Sequence, residues 1–348
     1  MRVGILGTGA IANKHAQAYK NIGFEVVACS NQTEARGREF AARWQCEFIP
    51  RYQDLCLLPG LDFIDVCTFP DFRLEPVSLC AGIKRSIQVQ KPIATNLATA
   101  AEMIRIAREA GIKLGVASQH RFDDATLFLK RAIPAGRLGK ILQADAYVKW
   151  FRSEEYYSRP IKGSWKTEGG GALINQAIHQ VDMLLHLAGA VKEVAGMWQL
   201  GARHKIESED VVNALLRYQS GATGVIQAAT AFWPGFTERI DLHGAKGSAV
   251  ISGDRLTAWD VLDDEAANAT DPAPVAHDVA SGSSDPMAIS LSSFERQFLD
   301  FGEAIRDNRE PLVNGEEGYC ALEVVLGIYD ACRSGERVTV GKILSKGV

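Results

Sequence analysis

Six consecutive residues near the start, Gly7-Thr8-Gly9-Ala10-Ile11-Ala12, have the types and spacing to hold a dinucleotide. They lie between an apolar, strand-like run at 3–6 and a helical pattern over 11–21. The first glycine permits a tight turn, and the second lets the backbone approach a pyrophosphate. The small Ala12 lets helix and strand pack closely, and the helix N-terminus faces the phosphates. Gly7, Thr8, Gly9, Ala10 and Ile11 are therefore candidate cofactor residues. The end of the next strand, 25–29, should read the adenosine ribose. An acid there bonds the 2′-hydroxyl of NAD, whereas a nearby basic group accommodates the 2′-phosphate of NADP. The chain offers Ser30-Asn31-Gln32-Thr33, with Arg36 and Arg38 following. Asn31 can donate or accept, so NAD and NADP both remain open.

Two other groupings have chemistry-bearing spacing. His179, Asp182 and His186 fall at i, i+3 and i+7, a stripe able to ligate a divalent metal. An Asp at that place also braces a helix, and a histidine near a helix end interacts favourably with its dipole. We assign no metal on that balance. The stretch 147–165 contains Arg152, Tyr156, Lys162 and Trp165, aromatic faces and cationic donors that suit a polyhydroxylated substrate. The same residues can equally cover a sheet or form a subunit contact. Arg121, just past the last strand of the first third, is a further candidate substrate contact.

The elements that must position these residues fall into two patterns. Strand-like runs at 3–6, 25–29, 63–68, 87–89 and 113–117 alternate with helical ones at 11–21, 33–43, 74–81 and 97–110, the last ending at Gly111. Such alternation predicts βαβ units and a doubly wound parallel sheet. Past residue 121 the strand candidates lengthen and crowd together, at 141–151, 194–200, 211–218, 223–231 and 238–243. Alternating apolar and polar residues in several of them predict an antiparallel or mixed sheet with one exposed face. Gln219-Ser220-Gly221-Ala222 reads as a hairpin turn, 262–286 as a surface excursion and 317–333 as a helix. The expected division is a dinucleotide-binding domain over 1–121 and an α/β substrate and oligomerisation domain over 122–348.

Composition excludes several classes. The formal net charge of −4 leaves no basic footprint for nucleic acid. No apolar run approaches the roughly 20 residues that span a bilayer, and the N-terminus reads as a strand rather than a secretory leader. Seven dispersed cysteines without a CxxC pair suit reduced thiols in a cytoplasm.

Three segments in order carry a family resemblance: the N-terminal glycine turn, Val89-Gln90-Lys91-Pro92-Ile93-Ala94, and Gly169-Gly170-Gly171-Ala172-Leu173-Ile174-Asn175-Gln176-Ala177-Ile178-His179. Together they resemble the glucose–fructose oxidoreductase / inositol 2-dehydrogenase (Gfo/Idh/MocA) family over essentially the whole chain. The resemblance implies a Rossmann domain with a doubly wound parallel sheet, followed by an α/β domain with a large open, mostly antiparallel sheet. It also implies hydride transfer between NAD(P) and a secondary alcohol or ketone of a sugar or cyclitol. The family's second motif is Glu-Lys-Pro with its lysine at the active site; Lys91 matches, and Gln90 departs from the glutamate. The third motif usually ends in Asp and His; Asn175 replaces the Asp and His179 matches. The nicotinamide-side Thr-Pro segment reads Thr68-Phe69-Pro70-Asp71 here; the resemblance thus adds Thr68, Pro70, Gln90 and Lys91 to the cofactor set.

In that frame His179 is the general base, since an imidazole can take a proton near neutral pH. Lys91 stabilises charge on the reacting oxygen. Asn175, four residues before His179 on a helix face, orients the hydroxyl or the imidazole. Two other functions use the same parts: a glycosidase or lyase with transient redox at the nicotinamide, and a dinucleotide sensor without turnover. Net reduction of cofactor separates the first from a dehydrogenase, and retention of Lys91 and His179 argues against the second. The expected partners are a sugar or polyol and, through the exposed sheet face, further copies in a homodimer or homotetramer.

Overall fold

The computed structural model describes residues 1–159, 161–262, 273–274, 276 and 290–341. Strands and helices alternate through the first third: β1 (Arg2–Leu6), α1 (Ala10–Asn21), β2 (Glu25–Ser30), α2 (Glu34–Trp44), β3 (Glu47–Phe48), α3 (Tyr52–Leu57), β4 (Phe63–Val66), α4 (Leu74–Gly82), β5 (Ser86–Val89), α5 (Leu97–Ala110) and β6 (Leu114–Val116). β4 and β5 are buried along their whole length, as short parallel strands covered on both faces must be. The strand order is β3-β2-β1-β4-β5-β6, every pairing parallel. The order reverses between β1 and β4, and ligands of such sheets bind past the carboxyl ends of the strands at that switch point. Local signals set the helix ends. Asn96 accepts the Thr99 N–H at 2.8 Å to cap α5, and Gly111 stops it with φ +68°.

The rest of the chain supplies α6 (Asp124–Ala132), β7 (Ile141–Lys149), α7 (Glu154–Tyr157), a π-helical turn over Ala172–Ala177, α8 (Ile178–Ala188), β8 (Val191–Leu200), β9 (Glu209–Tyr218), β10 (Thr223–Ala229), β11 (Arg239–Gly244), β12 (Gly247–Ser252), β13 (Arg255–Val261), α9 (Leu291–Arg306), α10 (Gly315–Ser334) and β14 (Val338–Thr339). The second sheet runs β13-β12-β11-β7-β10-β9-β8-β14 and is antiparallel except where β7 meets β10. The turn at 219–222 closes β9 onto β10, with the Tyr218 N–H donating to the Ala222 carbonyl at 2.9 Å and Gly221 at φ +89°. One sheet face is covered by the π-helical turn and α8. The other is open: from Asn213 onward β9 alternates exposed and buried residues, and Leu215 and Met197 stand 62% and 79% exposed. β12 and β13 extend the sheet beyond the strands expected. The excursion expected at 262–286 lies outside the described residues except at 262, 273, 274 and 276.

The described residues group into two compact units, one within Met1–Gln119 and Ser290–Tyr319, the other within His120–Ile289 and Cys320–Val348. Residues 290–319, which the sequence reading leaves with the second domain, thus belong to the first unit. The cause is the apolar face of α9. Phe294 and Phe298 pack on the His15 ring at 5.1 and 4.8 Å, and Phe301 packs edge-on to Phe63 at 5.2 Å. All three are buried, a contribution of roughly 1.5–3 kcal/mol each.

Candidate active site

In the first unit, the turn after β1 is built for close approach. Gly7 has φ +91°, and a Cβ there would lie 3.0 Å from the Cys67 carbonyl carbon. Gly9 has ordinary dihedrals, and a Cβ on it would meet nothing within 4 Å. The first glycine is needed by the fold; the second keeps open the space in front of α1. No side chain caps α1, so its N-terminal amides face that space beside the exposed Gly9 and Ala10. Two hydroxyls, Thr8 Oγ1 and Thr68 Oγ1, are buried without a hydrogen-bond partner at the same strand ends. Amides at a helix N-terminus, room for a pyrophosphate and unsatisfied hydroxyls fit a dinucleotide. Asn31 spends its amide locally: Oδ1 accepts the Thr8 N–H at 3.2 Å and Nδ2 donates to the Thr33 carbonyl at 3.0 Å.

Past β4, a 3-10 turn over Pro70–Phe72 leads to Arg73, which is 2% exposed. Its guanidinium donates to the carbonyls of Gln90 and Pro92 and, at 2.6 Å, of Thr68. One cation thus ties the Thr68 segment to both sides of Lys91. Burial pushes the Arg73 pKa down to about 9, only partly offset by Cys67, Asp71 and Asp65. Gln90, expected with the cofactor contacts, instead faces inward. It is 7% exposed, with its Nε2 2.8 Å from His15 Nε2 and its Oε1 accepting the Lys91 N–H at 3.2 Å. Lys91 itself is half-buried.

The second unit presents the triple-glycine motif against β9. A Cβ on Gly171 would collide with the Glu209 carbonyl, and one on Gly170 with the Tyr329 hydroxyl. The Glu209 carboxylate accepts the Gly171 and Leu173 N–H groups, each at 2.8 Å, and the Tyr329 hydroxyl at 2.7 Å. Burial raises its pKa to about 7 despite these bonds. Ala172–Ala177 then runs as a π-helical turn, a geometry found frequently at functional sites. Through 168–184 every residue is buried except Asn175 and His179. The π-helical turn and the first two turns of α8 therefore leave only those two side chains partly accessible.

Each has a defined neighbour. Asn175 Nδ2 donates to Glu168 Oε1 at 2.7 Å. Glu168 also accepts Lys162 Nζ at 2.5 Å and the Gly163 N–H at 2.9 Å. Burial pulls the Lys162 pKa down, but Tyr156 and Glu168 outweigh it and hold it above the usual lysine value. Tyr156 lies under the Lys162 ammonium at 4.9 Å and accepts from Gln176, whose Oε1 accepts from the buried Arg152 at 2.9 Å. The His179 ring stands edge-on to His120 at 5.3 Å, and His120 Nδ1 lies 2.8 Å from Asp123. Burial alone would lower the His120 pKa. Asp123, helped by Glu238 and Asp254, reverses that and raises it.

Residues 1–118 match the family model described as an oxidoreductase family with an NAD-binding Rossmann fold, and residues 126–250 match the GFO/IDH/MocA C-terminal domain. The chain belongs to the GFO/IDH/MocA family. It is an NAD-dependent oxidoreductase of the dehydrogenase type. This GFO/IDH/MocA chain is 28% identical to the myo-inositol 2-dehydrogenase of Thermotoga maritima, over 92% of its own length and 93% of the relative's. It is 26% identical to the 1,5-anhydro-D-fructose reductase of Ensifer adhaerens, over 97% and 98%. Its structure superposes on the WlbA dehydrogenase of Bordetella pertussis, crystallised with NADH and UDP-GlcNAcA, with a TM-score of 0.85. Identity there is 26%, covering 97% of this chain and 98% of that one.

Several residues singled out from the sequence of this GFO/IDH/MocA member sit elsewhere than expected. Arg121 is 2% exposed and forms a two-bond fork with Asp182, at 2.8 and 2.5 Å, so it braces α8 instead of facing a substrate. That pairing also takes Asp182 out of the histidine stripe. His186 lies beside Arg121 and Lys130, and burial together with those cations lowers its pKa to about 3. Two cations at that position oppose a metal ion. Trp165 packs against Trp198 and Tyr329 at 5.5 and 5.2 Å and donates to the Glu207 carbonyl. It belongs to the covering of the sheet. Sequence reading missed Arg73, His120 and Glu168. Glu168 directly precedes the three glycines and His120 directly precedes Arg121, so proximity was the available signal.

Proposed function

We propose that the enzyme oxidises a secondary alcohol of a cyclitol, sugar or sugar derivative with NAD, and reduces the matching ketone in reverse. The observation that carries this reading is the partial accessibility of Asn175 and His179 within the otherwise buried stretch 168–184. A stretch that buries its neighbours and leaves out one imidazole and one amide four residues apart is shaped for proton transfer to a bound hydroxyl. Bound NAD supplies the hydride acceptor. His179 takes the hydroxyl proton as base, Lys91 stabilises the negative charge that develops on the reacting oxygen, and Asn175 orients the hydroxyl. Lys91 comes from the first unit and His179 from the second, so the role of each is tested separately.

Tyr156 and Lys162 extend the substrate side, and Glu168 fixes both Lys162 and Asn175. Arg152 holds Gln176, and through it Tyr156, in place. The relatives' names, an inositol dehydrogenase and an anhydrofructose reductase, support polyols as the substrate class. The open face of the second sheet, with Leu215 and Met197 exposed, supports a homodimer or homotetramer, which light scattering tests. No helix among the described residues is long and apolar enough to cross a membrane, and all seven cysteines are free, which suits a cytoplasmic enzyme. The activity is tested by a panel of inositols, sugars and sugar acids with NAD⁺ and NADP⁺, following reduced nicotinamide. Net reduction with at least one polyol is expected; binding of NADH with no turnover of any polyol would overturn the reading.

A further inference from the structure

Beneath the glycine turn the first unit buries a chain of polar side chains that holding a dinucleotide does not require. Asp65, inside β4, and His15, on α1, are both fully buried, with His15 Nδ1 2.7 Å from Asp65 Oδ2. The Tyr19 hydroxyl donates to the same Asp65 oxygen at 3.0 Å, and Cys67 Sγ lies 3.5 Å from His15 Nδ1. On its other side His15 Nε2 meets Gln90 Nε2 at 2.8 Å, and Gln90 Oε1 accepts the Lys91 N–H at 3.2 Å. Phe294 and Phe298 pack against the imidazole.

The donors fix every proton in turn. A backbone N–H only donates, so the Gln90 atom facing Lys91 is the oxygen, and the atom facing His15 is the amide nitrogen. An amide NH₂ also only donates, so His15 Nε2 is bare and accepts. The single ring proton then sits on Nδ1 and points at Asp65, whose carboxylate accepts. The tautomer is assigned from this network of partners. A glutamate at position 90 could not donate to a bare Nε2. It would demand a second proton on the ring and would place a carboxylate next to Lys91.

We propose that Asp65, His15 and Gln90 form a one-directional hydrogen-bond chain that positions Lys91 by holding the Gln90 amide oxygen on the Lys91 N–H. Arg73 grips the Gln90 and Pro92 carbonyls from the other direction, so the peptide carrying Lys91 is held on both sides. His15, Asp65 and Gln90 are positioning residues. The catalytic consequence rests on the reading of Lys91 at the reacting oxygen; the chain of bonds does not.

The test is ¹⁵N NMR of histidine- and lysine-labelled enzyme without cofactor. His15 is expected with a protonated Nδ1 and a bare Nε2, and Gln90→Glu is expected to protonate both nitrogens. Exchange of the Lys91 amide should quicken about fivefold in Gln90→Met, which keeps the volume and removes the acceptor. A protonated Nε2 in the native enzyme, or unchanged Lys91 exchange in Gln90→Met, overturns the chain. With the polyol identified by the panel, Gln90→Met should lower kcat about tenfold while Kd for NAD⁺ stays within about twofold. Unchanged kcat overturns the positioning role. Full turnover by Lys91→Ala would instead overturn the catalytic reading and leave the NMR result standing.

Discussion

The first unit presents its proposed ligand site with backbone, and the second presents its proposed site with side chains locked by charge. After β1 the working parts are Gly7, the empty space at Gly9 and the uncapped amides of α1; Arg73 acts by gripping three carbonyls. Around α8 the proposed working parts are Asn175 and His179, held among Glu168–Lys162, His120–Asp123 and Arg121–Asp182. The difference follows from the ligands proposed. A dinucleotide pyrophosphate is recognised by peptide dipoles that any sequence with the right glycines supplies. A particular polyol has to be met by particular functional groups, and those must be held in place by other side chains.

The sharpest way to break this contrast is to remove a partner on the side-chain half. Asp182→Ala leaves Arg121 buried without its carboxylate, and removal of one member of a buried ion pair costs about 3–5 kcal/mol. Urea unfolding should show that loss, while a double Arg121→Met/Asp182→Leu variant recovers much of it. If Asp182→Ala is neutral, the fork is not a brace.

A smaller effect in the same unit depends on pH. His186 stays neutral in the fold down to about pH 3, because burial and then Arg121 and Lys130 disfavour its charge. The unfolded chain takes up that proton near pH 6.5. The unfolded state therefore binds more protons between about 3 and 6.5, and stability falls as pH drops through that window. His186→Leu should flatten the decline measured between pH 7 and 4.5; an unchanged slope would assign acid sensitivity elsewhere.

On the backbone half the two glycines should separate. Gly7→Ala forces a side chain into a positive-φ turn beside Cys67, at about 1–2 kcal/mol, and should lower both Tm and NAD⁺ affinity. Gly9→Ala meets nothing in the protein, so Tm should hold while NAD⁺ binding weakens at least tenfold by calorimetry. Unaltered binding in Gly9→Ala would mean the cofactor does not approach there. The smallest expected effect concerns the ribose. Arg38 is paired with Glu34 and lies over Phe48, whereas Arg36 is exposed and unpaired among the described residues. Arg36→Ala should weaken NADP⁺ by about fivefold, roughly 1 kcal/mol, and leave NAD⁺ unchanged.

The same contrast explains what was legible in the sequence. The glycine turn is contiguous, so its place between a strand and a helix could be read, and the alternating strands and helices around it gave the first sheet. Asn175 and His179 could be proposed for the same reason, lying in one short motif. Their supports were not. Glu209 reaches the triple glycine from 38 residues away and Arg121 reaches Asp182 across 61. Nothing local distinguishes a buried, paired arginine such as Arg121 from an exposed one. Gln90 was misplaced because its inward partner, His15, lies 75 residues earlier on α1. Residues 290–319 were assigned to the wrong side because helical periodicity shows that α9 has an apolar face, not which unit buries it.

The most direct measurement is turnover of the polyol panel by native enzyme and His179→Ala, with NAD⁺ affinity measured on both. The native enzyme should reduce NAD⁺ with at least one polyol. His179→Ala should retain the fold and the NAD⁺ affinity while losing about 10²–10⁴-fold in kcat, the range for removing a general base. Near-native kcat in His179→Ala would contradict the assignment of proton transfer to the one imidazole that the buried stretch at 168–184 leaves partly accessible.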